Sequence, residues 1–358
     1  MKKIEFLKLF TALFVGLSFL AIIILSYWSS TFKLRRLDAN YTVVTSRVAH
    51  FREAESNSTV TTTSDKSISI TSKPFIYLTQ TEQCLPQHLA SSTRIGDNKT
   101  CNCDVIVLSY KEECQDDKPS HISYVFAKES TWTTGRNLLY FVAIERIRHY
   151  HYYIFLDDDV DLGFNSFSSQ EIKRLSPFRA FEQWLLDDEP AVGVANYNNN
   201  GRALLKRRQS ICGIKEPPIV VPVMWFDALF NAFHHQSIKH ILPCPTQYDQ
   251  ESWWISQLHV IYSTELIFRG QALAYVAITV SNRQHRGYPR GHTMFSKRIP
   301  VIIEDIQNKA PTAHQNRTLF QTLKTSQLKR YSETATTYCM NTTHRHPIVP
   351  YSHFEGQS

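Results

Sequence analysis

The sequence predicts an α/β domain, a mixed and mainly parallel sheet flanked by helices, following an N-terminal transmembrane helix. Three observations predict it. Apolar runs of strand length and one amphipathic stretch follow each other between residues 103 and 160 in the order strand, strand, helix, strand, which points to parallel pairing. The last of these strands, Tyr152-Tyr153-Ile154-Phe155-Leu156, runs straight into Asp157, Asp158, Asp159 and, past Val160, Asp161. An uncharged run from Leu9 to Trp28 precedes all of this, behind Lys2, Lys3 and Lys8.

The N-terminal run comes first in the chain. At ~1.5 Å per residue it extends about 30 Å, the hydrocarbon thickness of a bilayer. It is long for a signal-peptide core, no A-x-A-like cleavage site follows, and Tyr27 and Trp28 suit an interfacial anchor. Residues 1–8 then form a short cytoplasmic tail and 9–28 a signal anchor. Glycosylation sequons at Asn40, Asn57, Asn98, Asn316 and Asn341 all lie beyond the anchor, as do all seven cysteines. Both features suit an oxidising secretory lumen. The odd cysteine count leaves one thiol free or paired between chains, which allows a homodimer. Cys101-x-Cys103 lacks the spacing and the second half of a zinc site. Residues 29–100, rich in Ser and Thr with poor hydrophobic periodicity, read as a glycosylated stem whose end, near Pro86 to Thr100, packs on the domain.

The chain has 358 residues, 42% hydrophobic and 20% charged, enough for a sizeable core. Its formal charge is +7, but Lys and Arg are scattered apart from Lys206-Arg207-Arg208, so nucleic acid is not an expected partner. The globular part is expected at 101–300. It opens with the strand from Cys103, ending at Ser109-Tyr110, and a second strand from His121 to Ala127. A helix over Leu138–Ile147 follows, started by Thr133 or Thr134. Ligands in such sheets bind beyond the carboxyl ends of strands, here Ser109-Tyr110 and Asp157–Asp159.

The carboxylates at the third strand's end are the chemical centre. Extended backbone points alternate side chains the same way, so Asp157 and Asp159 are expected to share a face. Like charges there call for a cation between them. A hard divalent ion, Mn²⁺ or Mg²⁺, holding phosphate oxygens, fits carboxylate ligands. An EF-hand frame from Asp157 fails, because Leu162 stands where Gly is needed and Ser168 where a bidentate Glu is needed. A phosphohydrolase D-x-D pattern needs Thr or Val where this chain has Asp161.

Gly135-Arg136-Asn137, a helix, and then Tyr153-Ile154-Phe155-Leu156-Asp157-Asp158-Asp159-Val160 resembles the nucleotide-binding half of GT-A-fold, D-x-D-containing glycosyltransferases. The match covers roughly residues 103–200, more weakly to about 295. The order of tail, anchor, stem and lumenal domain looks like Golgi type II enzymes. The resemblance implies a hexosyl- or N-acetylhexosaminyl-transferase using a nucleotide sugar, a UDP-sugar first, on a glycan or glycoprotein acceptor. It implies that Asp159 binds the metal directly, Asp157 the ribose or a metal-bound water, and Arg136 and Asn137 the nucleotide beside Ser109 and Tyr110. Asp161 is left as outer support. A late loop His completes the metal site in several such enzymes; His285 is the first choice and His292 the second, with Arg283, Arg286 and Arg290 near the diphosphate.

The remaining elements follow in order. Phe178–Leu186 reads as an amphipathic helix and Ala191–Tyr197 as a strand. Asn198–Gln209, with its basic triplet, reads as a solvated loop or a lid, and Phe226–His240 as a helix. His234, His235 and His240 lack a clean metal spacing and read as surface or cap residues. In Tyr248–Gln257, Asp249 and Glu251 are candidates for the base that takes the acceptor proton, unresolved from one another, and Trp253 and Trp254 for stacking on the acceptor sugar. The base is needed only if the anomeric configuration inverts. Ala272–Val280 is a buried strand, and the tail after 300 has little periodicity.

Overall fold

A computed structural model describes residues 73–116, 119–146, 149–197, 201–215, 219–249, 251–283 and 295–310. The predicted tail, the anchor over 9–28, Asn40, Asn57, His285, Arg286, Arg290, His292, Asn316 and Asn341 lie outside the described residues. Among those described, no helix is long and apolar enough to cross a membrane.

The first strand comes from the segment read as stem. Phe75–Thr81 (β1) alternates apolar side chains on both faces and is buried throughout except at Gln80. It lies between Cys103–Ser109 (β2) and Tyr152–Asp157 (β4), parallel to both. The stem boundary at 100 therefore moves: from Phe75 on, the chain is sheet interior. Its run of Phe, Ile, Tyr and Leu outweighs the Ser/Thr-rich composition before it. A short helix, Gln87–Ala90 (α1), packs Leu89 into the same core.

Ile122–Phe126 (β3) is the parallel edge strand beside β2. Beyond β4 the sheet runs through Phe230–His234 (β8), Val192–Tyr197 (β6), Ala272–Asn282 (β9) and Val160–Phe164 (β5), with Val220–Pro222 (β7) also paired to β9. β8 runs antiparallel to β4 and β6, and β5 and β7 antiparallel to β9. The other six strands share one direction, so the sheet is mixed and mainly parallel, as the sequence predicts.

Helices flank it on both sides. The Tyr77 face packs with Phe178, Phe181, Trp184 and Leu185 of Pro177–Asp188 (α3), which Ser176 caps and Pro177 begins. The opposite face carries Trp132–Ile144 (α2). Thr131 is its N-cap, in a reciprocal pair with Thr134, rather than Thr133 or Thr134. α2 approaches β1 so closely that a Cβ on Gly135 would stand 1.9 Å from Gln80 Nε2 and would push aside the Gln80 amide that donates to Thr131 O. Trp253–Ile267 (α6) packs on α2, and Phe295–Lys309 (α7) packs on α6.

Three local expectations are corrected. The predicted helix over Phe226–His240 is instead β8 followed by a four-residue helix, Ile238–Ile241 (α5). Phe230 and Phe233 mimic helical spacing, but an aromatic-rich segment between two strands pairs with both. The predicted loop around the basic triplet is helix Gly201–Cys212 (α4). It places Leu204 and Arg208 inward, so the triplet is spread around a packed helix. The tail read as aperiodic after 300 begins inside α7, which buries Ile299, Ile302, Ile303 and Ile306.

Candidate active site

Registration brings three strand ends to one edge: Thr81 pairs with Ser109, and Gln80 with Asp157. Beyond that edge lies a cavity of about 520 Å³ lined by Thr81, Glu82, Gln83, Cys84, Pro86, His88, Asp158, Asp159 and Arg283. The Cys84–Cys114 disulfide ties the chain leaving β1 to the chain leaving β2 and fixes this rim. Cys101 and Cys103 form a second disulfide, and Cys244 is a buried thiol outside any.

The strand ends at Asp157, and the expected alternation ends with it. Asp158 and Asp159 sit in the turn before β5 and line the cavity, while Asp157 does not. Asp157 Oδ1 accepts from Arg136 Nη2 at 3.0 Å, and the same nitrogen donates to Ala228 O at 2.8 Å. The Arg136 guanidinium lies 4.2 Å from the centre of the Trp132 ring and 5.4 Å from that of Phe155. Burial raises the Asp157 pKa; Arg136 opposes this and the Asp159 charge adds to it. Arg136 is thus the buried counter-ion of Asp157.

Asp159 is held from behind. Its Oδ1 accepts from Asn282 Nδ2 at 3.0 Å, and its carbonyl accepts the Arg283 amide at 2.8 Å. Asp161 is clamped between Arg94 at 2.7 Å and Arg283 at 3.1 Å. Burial works to raise its pKa, but hydrogen bonds and charge from Arg94 and Arg283 hold it below the usual carboxylate range. His88 Nε2 lies 3.2 Å from Val160 O. Burial, followed by the Arg283 charge, lowers its pKa, so at neutral pH it is an uncharged lining group.

Other predicted site residues are engaged elsewhere. Asn137 forms a paired contact with Cys244, donating to its carbonyl and accepting its amide, each at 2.8 Å. Ser109 is buried and its hydroxyl donates to Gln83 O; the Tyr110 amide donates to Thr81 O at 3.0 Å. Asp249 accepts the Thr131 hydroxyl and, at 3.4 Å, the Ser256 hydroxyl, joining the start of α2 to α6. Both Glu251 oxygens are taken by Arg298 of α7, at 2.8 and 2.5 Å. Trp253 and Trp254 are half-buried at the start of α6, capped by Ser252. Asn98 is exposed.

The sequence reading passed over Thr81, Glu82, Gln83 and His88, because they lay in the presumed stem. The usable signal was the alternating run Phe75–Leu78. It also passed over Asp227. Burial and the Asp157 charge push that carboxyl up to about 6, against the Leu229 amide and Arg136. A carboxylate with that proton affinity beside Asp157 is suited to take a proton near neutral pH.

The donor type fits a hard divalent cation: Asp158 and Asp159, both carboxylates, line an open polar cavity.

No family model matches the chain, and no curated protein matches it. Among solved structures it is similar to the mannosyltransferase PcManGT of Pyrobaculum calidifontis, in complex with GDP-Man and Mn²⁺. The identity is 10%, over 80% of this chain and 79% of that one, with a TM-score of 0.40. An overlap that loose decides nothing about this chain.

Proposed function

We propose that the protein is a metal-dependent glycosyltransferase of GT-A type, moving a sugar from a nucleotide sugar, a UDP-sugar first, to a hydroxyl of a glycan or glycoprotein. We place it in the Golgi membrane as a single-pass type II protein with its domain in the lumen. The observation that carries the reading is the cavity at the carboxyl edge of the sheet, where Asp158 and Asp159 meet Arg283 beside the ends of β1 and β4. The lumenal placement rests on the sequons, the predicted anchor and the Cys84–Cys114 disulfide.

Asp158 and Asp159, which line the cavity, would hold Mn²⁺ or Mg²⁺. Such an ion supplies Lewis-acid stabilisation to a departing diphosphate. The chain's own residues do the rest. Asn282 fixes the Asp159 carboxylate, and Arg136 pairs with Asp157. Arg283 offers a guanidinium to the same cavity, where it can neutralise phosphate charge. Among the carboxylates weighed as acceptor base, Glu251 is engaged by the Arg298 fork and Asp249 by two hydroxyls. Asp227 has a raised proton affinity but stands outside the residues that line the cavity.

The test is Asp159→Asn in the full chain, screened against UDP-, GDP- and CMP-sugars with Mn²⁺ by thermal shift and donor hydrolysis. One nucleotide class should stabilise the wild type only with metal, and the variant should lose that shift while staying folded. Wild-type activity in the variant with EDTA present would end the reading. A folded wild type blind to every nucleotide would favour a non-catalytic ectodomain that binds glycans or proteins.

A further inference from the structure

The other end of β4 carries a second cluster of metal-ligating side chains. His151 stands directly before Tyr152, the first residue of the strand. His234 is the last residue of β8 and pairs across from Tyr152; His235 follows it. One ligand nitrogen from each imidazole lies within 4.8 Å of the other two. Ring centres are 4.2 Å apart for His234 and His235, 5.9 Å for His151 and His235, and 6.5 Å for His151 and His234.

The backbone locks the segments that carry them. The His235 amide donates to His151 O at 2.9 Å, and the His151 amide to Pro74 O at 2.8 Å. His234 is buried, with the Tyr152 ring edge-on at 5.2 Å, whereas His151 and His235 are exposed. The cluster is therefore one fixed imidazole and two that can turn, on a rigid sheet end.

We infer that His151, His234 and His235 form a binding site for a borderline transition-metal cation, Zn²⁺ first, at the end of β4 away from Asp157. Six residues of strand at ~3.3 Å each put the two ends roughly 17–20 Å apart, so the cluster is separate from the carboxylate cavity. The donor types separate the metals as well. Imidazole nitrogen suits zinc, copper and nickel, while carboxylate oxygen suits magnesium and manganese.

Tetrahedral zinc with Zn–N of 2.0–2.1 Å needs nitrogens about 3.3 Å apart. Rotation of the two exposed rings supplies the closure from 4.8 Å. Ligation through His234 Nδ1 would displace the Gln236 amide, a long contact at 3.2 Å. Three protein ligands leave a fourth position for water or for a group from a partner. Sequence spacing hides the site. Adjacent residues of one strand face opposite ways, and His234 and His235 converge only because the strand ends between them.

The test uses the full chain without a histidine tag, in an Asp159→Asn background that removes the carboxylate site. Zn²⁺ is titrated by calorimetry, and Co²⁺ is followed by visible absorption. One equivalent of Zn²⁺ should bind, with a Co²⁺ spectrum of tetrahedral nitrogen ligation. His151→Ala and His235→Ala should each weaken binding by more than ~100-fold, the upper end of what losing a second-shell partner brings. Both side chains are exposed, so the metal-free variants should melt as the parent does. Unchanged Zn²⁺ affinity in the His151→Ala/His235→Ala double variant would overturn the assignment, as would a folded parent that binds none.

Discussion

Replacing Arg136 by Met removes the guanidinium while keeping a long side chain against Trp132 and Phe155. Arg136 is buried, and it holds Asp157 Oδ1 at 3.0 Å and Ala228 O at 2.8 Å. Breaking a fully buried pair by removing one partner costs ~3–5 kcal/mol. The Asp157 side chain is 33% exposed. Water therefore recovers part of that loss, and about 2–3 kcal/mol is expected for the variant, between the buried and surface limits. Urea unfolding with an unchanged slope is the measurement. Adding Asp157→Asn should recover ~1–2 kcal/mol of this, since the stranded charge is gone. Mn²⁺ should stabilise Arg136→Met more than the wild type, because a cation then supplies the missing positive charge. An Arg136→Met protein within about 0.5 kcal/mol of wild type would refute the counter-ion role. If that protein also lost nucleotide binding, the guanidinium would be a direct ligand contact instead.

Two further outcomes are expected. Asn137→Ala strands the Cys244 amide and carbonyl, so the protein should lose about 2–4 kcal/mol of stability by urea unfolding. The nucleotide affinity of its folded fraction should match wild type; selective loss of affinity would return Asn137 to the binding site. Glu182 is buried against Tyr77 Oη and Arg179, each at 2.7 Å, and burial raises its pKa from 4.5 to about 7, against Arg179. The folded state then holds a proton that the unfolded state has lost, so between pH 4.5 and 7 this group's contribution falls as pH rises, by about 3 kcal/mol in all. Glu182→Gln should flatten the pH dependence of stability in that window, and an unchanged slope would show that Glu182 titrates normally.

What was legible in the sequence followed the strength of local patterning. Strands β2, β3, β4, β6 and β9 and helix α3 stand in the sequence as apolar runs or amphipathic periods with clear ends, and their order gives the mainly parallel sheet. β1 was hidden by averaging: its seven residues sit at the edge of a long Ser/Thr-rich segment. β8 was hidden because Phe230 and Phe233 satisfy two periodicities, and only the gap between β4 and β6 decides between them. At the site, Arg136 was legible as a charged residue at a helix start, but its partner was not. Whether it faces phosphate or Asp157 depends on the angle at which α2 crosses β4. Asp249 and Glu251 were legible as carboxylates near tryptophans, whereas Thr131 and Arg298, which occupy them, come from helices far away in sequence.

The acidic run shows how one sequence feature divides into separate tasks. Asp157 is the last strand residue and faces Arg136. The next two residues turn into the cavity, and Asp161, back in extended backbone on β5, meets Arg94 and Arg283. Four carboxylates thus stand among three guanidiniums, with Asp227 adding a fifth acid whose proton affinity burial and the Asp157 charge raise. The three pairings go to Asp157 and Asp161, and Asp158 and Asp159 are the two that line the cavity. A divalent cation held by Asp158 and Asp159 would supply positive charge to a diphosphate in the same cavity. The run is therefore better described as a clamp, Asp157 and Asp161 fixing the turn to the helix and loop beside it, than as four equivalent ligands. The D-x-D spacing matters less for which side chains share a face than for where the strand stops.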